Sequence, residues 1–181
     1  YIEDLHKDTL IFIDKFGLNI RNIDLSKQYL SVNNIDLNGL KFYLKKYPSE
    51  NDLNIQFIID AFQAKEKTKT SLDWRIDFAT IQLQDAAFSY NDLNRQEQYD
   101  RIDFNNINLT SINTSLDKLK ISGDTIAVDI HQLSFKEKKG FTVNNLQAKV
   151  KVSPNEISCY NLVIQTPNSS IKSNYSMQYK S

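Results

Sequence analysis

Residues 76–83 read Ile-Asp-Phe-Ala-Thr-Ile-Gln-Leu. Apolar residues alternate with other residues on both sides of a two-residue step, Ala79-Thr80. Strict alternation is typical of a β-strand, because successive side chains point to opposite faces. After the two-residue step, the apolar residues of the second half would point to the other face of the strand. A β-bulge prevents this, because two residues of the bulged strand then lie opposite one residue of the neighbouring strand. We therefore predict a kinked strand that keeps one apolar face throughout.

The same spacing occurs eight times in the chain. Besides Ile76, copies start at Ile11, Leu18, Leu30, Ile102, Val128, Phe141 and Ile157. Asparagine, which tolerates unusual backbone angles, often takes the second position of the step. It does so at Asn22, Asn34, Asn106, Asn145 and Asn161. A rival interpretation puts a tight turn at the step, which would give short hairpins in place of kinked strands.

These copies predict a mainly β chain: a long antiparallel meander sheet, curled into a groove of the β-taco type. Short turns between the strands are expected where glycine and proline occur. The predicted turn positions are Gly39, Gly123, Gly140, Ser153-Pro154-Asn155 and Thr166-Pro167-Asn168.

One segment departs from the strand pattern. One short α-helix is predicted near residues 53–63, where Asp52 can cap an apolar run. We divide the chain into first strands at 1–45, a loop, helix and charged linker at 46–71, and the continued β-groove at 72–181. We expect the chain to be a fragment of a larger protein, with any membrane anchor outside it.

Composition argues against several classes of function. The 22 basic and 22 acidic residues balance, whereas nucleic-acid binding needs a basic surface. His6 and His131 stand far apart without a second ligand at metal spacing, so neither a metal site nor a cofactor is predicted. Cys159 occupies an apolar position of its copy and is expected to pack as a small hydrophobic residue. With no phosphate loop or nucleophile motif, we predict that the chain is not an enzyme.

The apolar strand faces need a cover. Fully burying a valine, leucine, isoleucine or phenylalanine contributes about 1.5–3 kcal/mol, so leaving all eight copies in water would forgo more than the net stability of a typical domain. One short helix cannot cover them. A β-sandwich with an ordinary core, a trough for lipid acyl chains and an open solenoid all remain possible, and periodicity alone favours the sandwich.

Several stretches resemble a known family. Residues 74–90 read Trp-Arg-Ile-Asp-Phe-Ala-Thr-Ile-Gln-Leu-Gln-Asp-Ala-Ala-Phe-Ser-Tyr, which resembles a strand pair of the TamB/AsmA-like family. Residues 104–109 and 123–141 resemble the same family. Residues 1–10 and 54–62 are similar to its N-terminal half.

The resemblance implies an inner-membrane-anchored, periplasmic protein of a Gram-negative envelope. Its groove would carry phospholipid towards the outer membrane. The family, which includes the translocation and assembly module, also implies an outer-membrane barrel partner of the Omp85 type, reached outside this fragment. The alternatives are a scaffold for outer-membrane β-barrel proteins and an extracellular β-sandwich repeat domain. The predicted groove lining comprises Ile76, Phe78, Ile81, Leu83, Ile102, Phe104, Ile107, Leu109, Val128, Ile130, Leu133, Phe135, Phe141, Val143, Leu146, Ile157, Leu162 and Ile164.

Overall fold

In the part of the chain that the structure describes, eleven strands join into one open β-sheet, and one short helix interrupts the strand order. The computed structural model describes residues 1–63, 75–98 and 102–179. The strands are β1 (Ile2–Glu3), β2 (Thr9–Phe12), β3 (Lys15–Asp24), β4 (Tyr29–Asn38), β5 (Lys41–Lys46), β6 (Arg75–Asp92), β7 (Asn106–Ser122), β8 (Thr125–Glu137), β9 (Thr142–Ser153), β10 (Glu156–Gln165) and β11 (Ser170–Gln178). The helix α1 spans Gln56–Gln63. The predicted mainly β fold class is confirmed.

The longest strand, β6, organises the sheet. Strands follow the order β1-β2-β5-β6-β7-β8-β9-β10-β11, while β4 also pairs with β6 and carries β3 on its other side. Pairing is antiparallel except that β4 and β5 run parallel to β6. The all-antiparallel meander is thus wrong at β6. Parallel neighbours need a crossover, and this one falls between Lys46 and Arg75, the stretch of chain that contains α1.

β4 and β5 behave as one interrupted strand beside β6. Leu30 pairs with Ile76 and Phe42 with Phe88, so the register keeps one offset of 46 residues across the interruption. Gly39 lies at the interruption with φ 63°, level with Asp85, whose φ is 49°. Gly39 N–H also donates to the Gln84 carbonyl at 3.0 Å. The predicted turn at Gly39 is therefore a kink, after which the chain continues in the same direction.

We expect Gly39→Ala to lower the free energy of unfolding by about 1–2 kcal/mol, since a side chain at positive φ is strained. The new Cβ would also lie 2.9 Å from Cβ of Asp14. Urea denaturation measures the change. Gly17→Ala is the matched control, because its Cβ would lie 3.4 Å from Cβ of Asp36 and Gly17 has no positive φ. Equal losses in both variants would contradict the kink.

The two-residue steps form β-bulges in several copies. On β8 the pairing of Ile130 with Ala148 is followed by that of Leu133 with Leu146, which leaves two residues opposite one. On β10 the register to β11 shifts in the same way between Cys159 and Leu162. Asn161, within that shift, has φ 54°. The bulge interpretation is confirmed at these steps, and the tight-turn alternative is wrong there.

Two copies do not form kinked strands. In the copy that starts at Ile11, β2 ends at Phe12 and β3 begins at Lys15, and the two pair with different strands. In the copy that starts at Ile102, β7 begins only at Asn106, so the bulge predicted there is wrong. The Asp103 carboxylate accepts hydrogen bonds from the backbone N–H groups of Gln98 and Asn105 and from the Asn106 side chain. These bonds, led by that of Gln98, lower the pKa of Asp103 to about 2 and hold a turn in place of a strand.

Helix α1 begins three residues later than predicted. Asn54, expected in its first turn, instead accepts a hydrogen bond from the Lys45 N–H and donates to the Asp4 carboxylate and the Tyr43 carbonyl. These bonds tie Asn54 to β5 and to the β1–β2 turn. In the three described ranges, no helix is long and apolar enough to cross a bilayer. The charged linker and Trp74 lie outside the described residues.

Candidate functional site: the apolar face of the sheet

Strand pairing collects the apolar residues on one face of the sheet. We call this the apolar face and define it by Ile76, Phe78, Ile81, Leu83 and the residues paired beside them. Residues paired directly across neighbouring strands point to the same side, so the register assigns each position to a face. One row across the sheet runs Ile23-Leu30-Ile76-Ile121-Ile126-Val152-Ile157-Met177, and another runs Leu18-Ile35-Ile81-Leu116-Ile130-Ala148.

Nearly all predicted lining residues reach this face. Phe141 precedes β9 by one residue, and its ring centroid lies 6.4 Å from that of Phe135. The exceptions are Ile102 and Phe104, which precede β7 in the turn held by Asp103 and are 45% and 75% exposed. They lie outside the strands because the first half of the copy that starts at Ile102 forms this turn.

Side chains of the apolar face pack against those of neighbouring strands, but no second layer of described structure covers the face. Most of its side chains are half-buried, including Phe78, Leu116, Ile130 and Leu133. The apolar residues buried in the described chain are Leu10, Val32, Tyr47, Ile81, Ala86, Val143 and Ala148. A sandwich core would bury the apolar positions of most copies, and the described strands belong to one sheet with no second sheet across this face. The sandwich that periodicity favoured is therefore not the arrangement found.

Sequence analysis missed part of this face. Leu116, Leu119 and Ile121 of β7 lie on it, paired with Ile81, Phe78 and Ile76. Their spacing contains the same two-residue step, Asp117-Lys118, and Lys118 has φ 54°. The spacing around this step could have predicted that the three residues lie on the apolar face. Ala86, Phe88 and Tyr90 of β6 also lie on the face, beyond a further bulge after Leu83.

Known proteins offer no match. No family model matches the chain, and comparison with curated proteins and with solved structures found no match either. Resemblance to the TamB/AsmA-like family therefore stays a prediction from sequence motifs.

The opposite face of the sheet is polar, and several of its charges are paired. Asp77 accepts hydrogen bonds from Arg75 at 2.9 Å and from the Tyr29 hydroxyl at 3.1 Å. The Asp77 carboxylate raises the pKa of Arg75. His131, predicted to be solvated, is exposed and lies 2.9 Å from Asp117 through Nε2. Ion pairs of this kind on a solvated surface contribute little to stability, and this face of the sheet is therefore a hydrated, polar surface.

A cavity of about 430 Å³ lies mainly on the polar face, over Ala127 and Ser158. Four lysines and two acids line it: Lys118, Lys120, Lys149, Lys151, Asp129 and Glu156. Lys118 Nζ lies 3.4 Å from Asp129, and Lys151 Nζ lies 3.0 Å from Glu156. The four lysines outnumber the two acids, so the lining carries a formal charge of +2.

A polar cluster, which we call the Asp4 cluster, holds the first strands to β5 and to the start of α1. It consists of Asp4, Asp8, Lys45, Tyr47 and Asn54. The Tyr47 hydroxyl lies 2.9 Å from Asp4 Oδ2 and 2.6 Å from Asp8 Oδ2, and Lys45 Nζ lies 2.6 Å from Asp8. Burial raises the pKa of Asp4, but hydrogen bonds from Asn54, Tyr47 and two backbone N–H groups outweigh it and leave the pKa lowered. Burial and these two carboxylates raise the pKa of Tyr47.

The Asp4 cluster has a structural role. Each of its groups has a partner that keeps it in place, and Asp4 and Asn54 are buried. Within the described ranges, no three metal-ligating side chains are grouped to hold an ion. The apolar face is thus the candidate functional site, and the Asp4 cluster anchors one end of the sheet that carries it.

Proposed function

We propose that the apolar face binds the acyl chains of phospholipids. One observation carries this proposal: rows of apolar side chains continue in register from β3 to β11, and most of these side chains stay half-exposed along a sheet with no second layer over it in the described chain. An exposed apolar surface of this extent is typical of an interaction site.

The chemistry of the face suits hydrocarbon in general. Each methylene group removed from water contributes up to about 0.8 kcal/mol, and a flexible chain can follow the irregular surface that the bulges create. Along the two rows given above, the apolar face presents aliphatic and sulfur-containing side chains with no charged group to pair with a headgroup. We therefore propose that binding selects acyl chains without distinguishing headgroups, and that no covalent step is involved.

The cellular setting is proposed from the motifs. A TamB/AsmA-like parent would be anchored in the inner membrane and would extend through the periplasm, so that this chain forms one segment of a lipid path to the outer membrane. A barrel partner of the Omp85 type would then meet a part of the parent outside residues 1–181.

Photo-crosslinking on adjacent residues of the two faces tests the proposal. Benzoylphenylalanine at Leu83 or Ile130 of the purified chain should capture lipid from phospholipid vesicles, and mass spectrometry identifies the adduct. The matched controls are Gln82 and His131, exposed neighbours on the polar face. Equal capture at both sets, or none at Leu83 and Ile130, would overturn lipid binding by the apolar face.

A further inference from the structure

The cavity on the polar face has a floor of small side chains. Ala127 pairs with Lys120 on β7 and with Lys151 on β9, so these three residues form one row across the sheet. Ser158 on β10 pairs with Lys151, extends the row and is buried. Because the alanine side chain ends at Cβ, a gap lies between the two lysines, and the cavity of about 430 Å³ occupies it.

Two of the four lysines in the lining have acidic partners. Lys118 Nζ lies 3.4 Å from the Asp129 carboxylate. Lys151 Nζ lies 3.0 Å from the Glu156 carboxylate, which also accepts a hydrogen bond from the Ser158 side chain. These hydrogen bonds, led by that of Lys151, lower the pKa of Glu156, so Glu156 is charged at neutral pH. The two ion pairs therefore add no net charge to the lining.

The other two lysines, Lys120 and Lys149, supply the positive charge of the cavity. Both are exposed, and neither has an acid within ion-pair distance among the residues that the structure describes. Asp77 pairs with Lys120 across the sheet, but its carboxylate binds Arg75 at 2.9 Å. The acid that pairs with Lys149 is the one that Lys118 binds. Each of the two lysines thus lies opposite an acid that another cation already holds.

Lys120 and Lys149 lie close enough to bind one ligand together. They belong to β7 and β9, on either side of β8, so their backbones are about 10 Å apart across the sheet. Ala127 lies on the strand between them and has no side chain beyond Cβ to separate them. Tyr160 pairs with Lys149, lines the same cavity and is 47% exposed, so its hydroxyl is a further hydrogen-bond donor.

We propose that this cavity binds a phosphate monoester between Lys120 and Lys149. Such a group carries about 1.5 to 2 negative charges at pH 7 and has three strong acceptor oxygens. Two ammonium groups and the Tyr160 hydroxyl match that charge and those acceptors, whereas a carboxylate would neutralise only one of the two lysines. The monoester is either a soluble compound or the headgroup of a lipid. The cavity lies on the face opposite the apolar face, so this site does not depend on the proposed acyl-chain binding.

Isothermal titration calorimetry of the full chain with glycerol 3-phosphate tests the site. The wild type should bind one molecule per chain, and added salt should weaken binding. Lys120→Gln and Lys149→Gln should each weaken binding about tenfold, because each removes a charge-assisted hydrogen bond.

Lys136→Gln is the matched control for the two lysine variants. Lys136 is an exposed lysine of β8 that pairs with Thr110 and Thr142, outside the cavity. Its replacement removes the same charge from the chain and should leave binding unchanged. A wild type without saturable binding, or an equal loss in all three variants, would overturn the proposal.

Ala127→Phe tests the cavity separately from its charge. Phenylalanine is favoured in strands, and at this position its ring would fill the gap between Lys120 and Lys151 while every charge stays in place. We expect binding of glycerol 3-phosphate to fall about tenfold or more, with an unchanged midpoint of urea denaturation. Unchanged binding would mean that surface charge alone attracts the ligand, and it would refute the site.

Vesicle flotation distinguishes the two sources of the phosphate group. Phosphatidylcholine carries a phosphodiester, whereas phosphatidic acid carries the same monoester as glycerol 3-phosphate. Greater binding to phosphatidylcholine vesicles that contain phosphatidic acid, lost in Lys120→Gln, would assign the site to a lipid headgroup. Binding of glycerol 3-phosphate without that increase would assign it to a soluble ester. Failure of both probes to bind would overturn the phosphate site and leave acyl-chain binding at the apolar face untouched.

Discussion

Replacing Ile81 by aspartate is expected to lower the free energy of unfolding by about 3–5 kcal/mol, the cost of an uncompensated charge in an apolar setting. Ile81 is 9% exposed in the central strand β6. Its paired neighbours are Ile35 on β4 and Leu116 on β7. Ile130 and Ala148 continue the row, so an aspartate there meets no cation or hydrogen-bond donor among these side chains.

Urea denaturation measures this loss, and the adjacent residue supplies the control. Gln82 is exposed on the polar face, so Gln82→Asp should change stability by less than about 0.5 kcal/mol. The contrast between neighbouring residues depends only on which face each occupies. A small loss at Ile81 together with a large one at Gln82 would show that the faces are assigned the wrong way round.

Replacing Asp4 by alanine is expected to cost about 3 kcal/mol, because several buried donors would lose their acceptor together. The carboxylate accepts hydrogen bonds from the N–H groups of His6 and Asp8, from the Tyr47 hydroxyl and from the Asn54 amide. Since Asn54 also binds β5, the loss should loosen the attachment of both the β1–β2 turn and the start of α1.

The contribution of Asp4 should also depend on pH. Its pKa in the folded protein is lowered, so the charged form stabilises the fold fully above the unfolded value of about 3.9, and the stabilisation is lost as the pH falls towards the folded value. Wild type and Asp4→Ala should therefore differ most near neutral pH and converge in acid. Asp124→Ala, at an exposed turn position, is the control. A difference that grows in acid would contradict this assignment.

Local sequence patterns were enough to predict most strands and the face on which their apolar residues lie. Alternation is a local property of the backbone, so residues 128–135 indicate a strand with one apolar side whatever lies beside it. Asparagine at the two-residue steps indicated the bulges for a local reason as well, and of the five asparagines at these steps Asn161 adopts a positive φ. Most of the predicted lining follows from these two rules.

Strand pairing and the cover of the apolar face could not be predicted from local patterns. All eight copies carry the same pattern, so nothing local distinguishes the parallel pairing of β4 and β5 with β6 from the antiparallel pairing elsewhere. Ile102 and Phe104 lie outside the sheet because the Asp103 carboxylate accepts hydrogen bonds from backbone N–H groups and so stabilises a turn. The alternation of apolar residues does not show that a turn is preferred to a strand there. Whether a second layer covers the apolar face is likewise a non-local matter, since it depends on contacts between strands far apart in the chain.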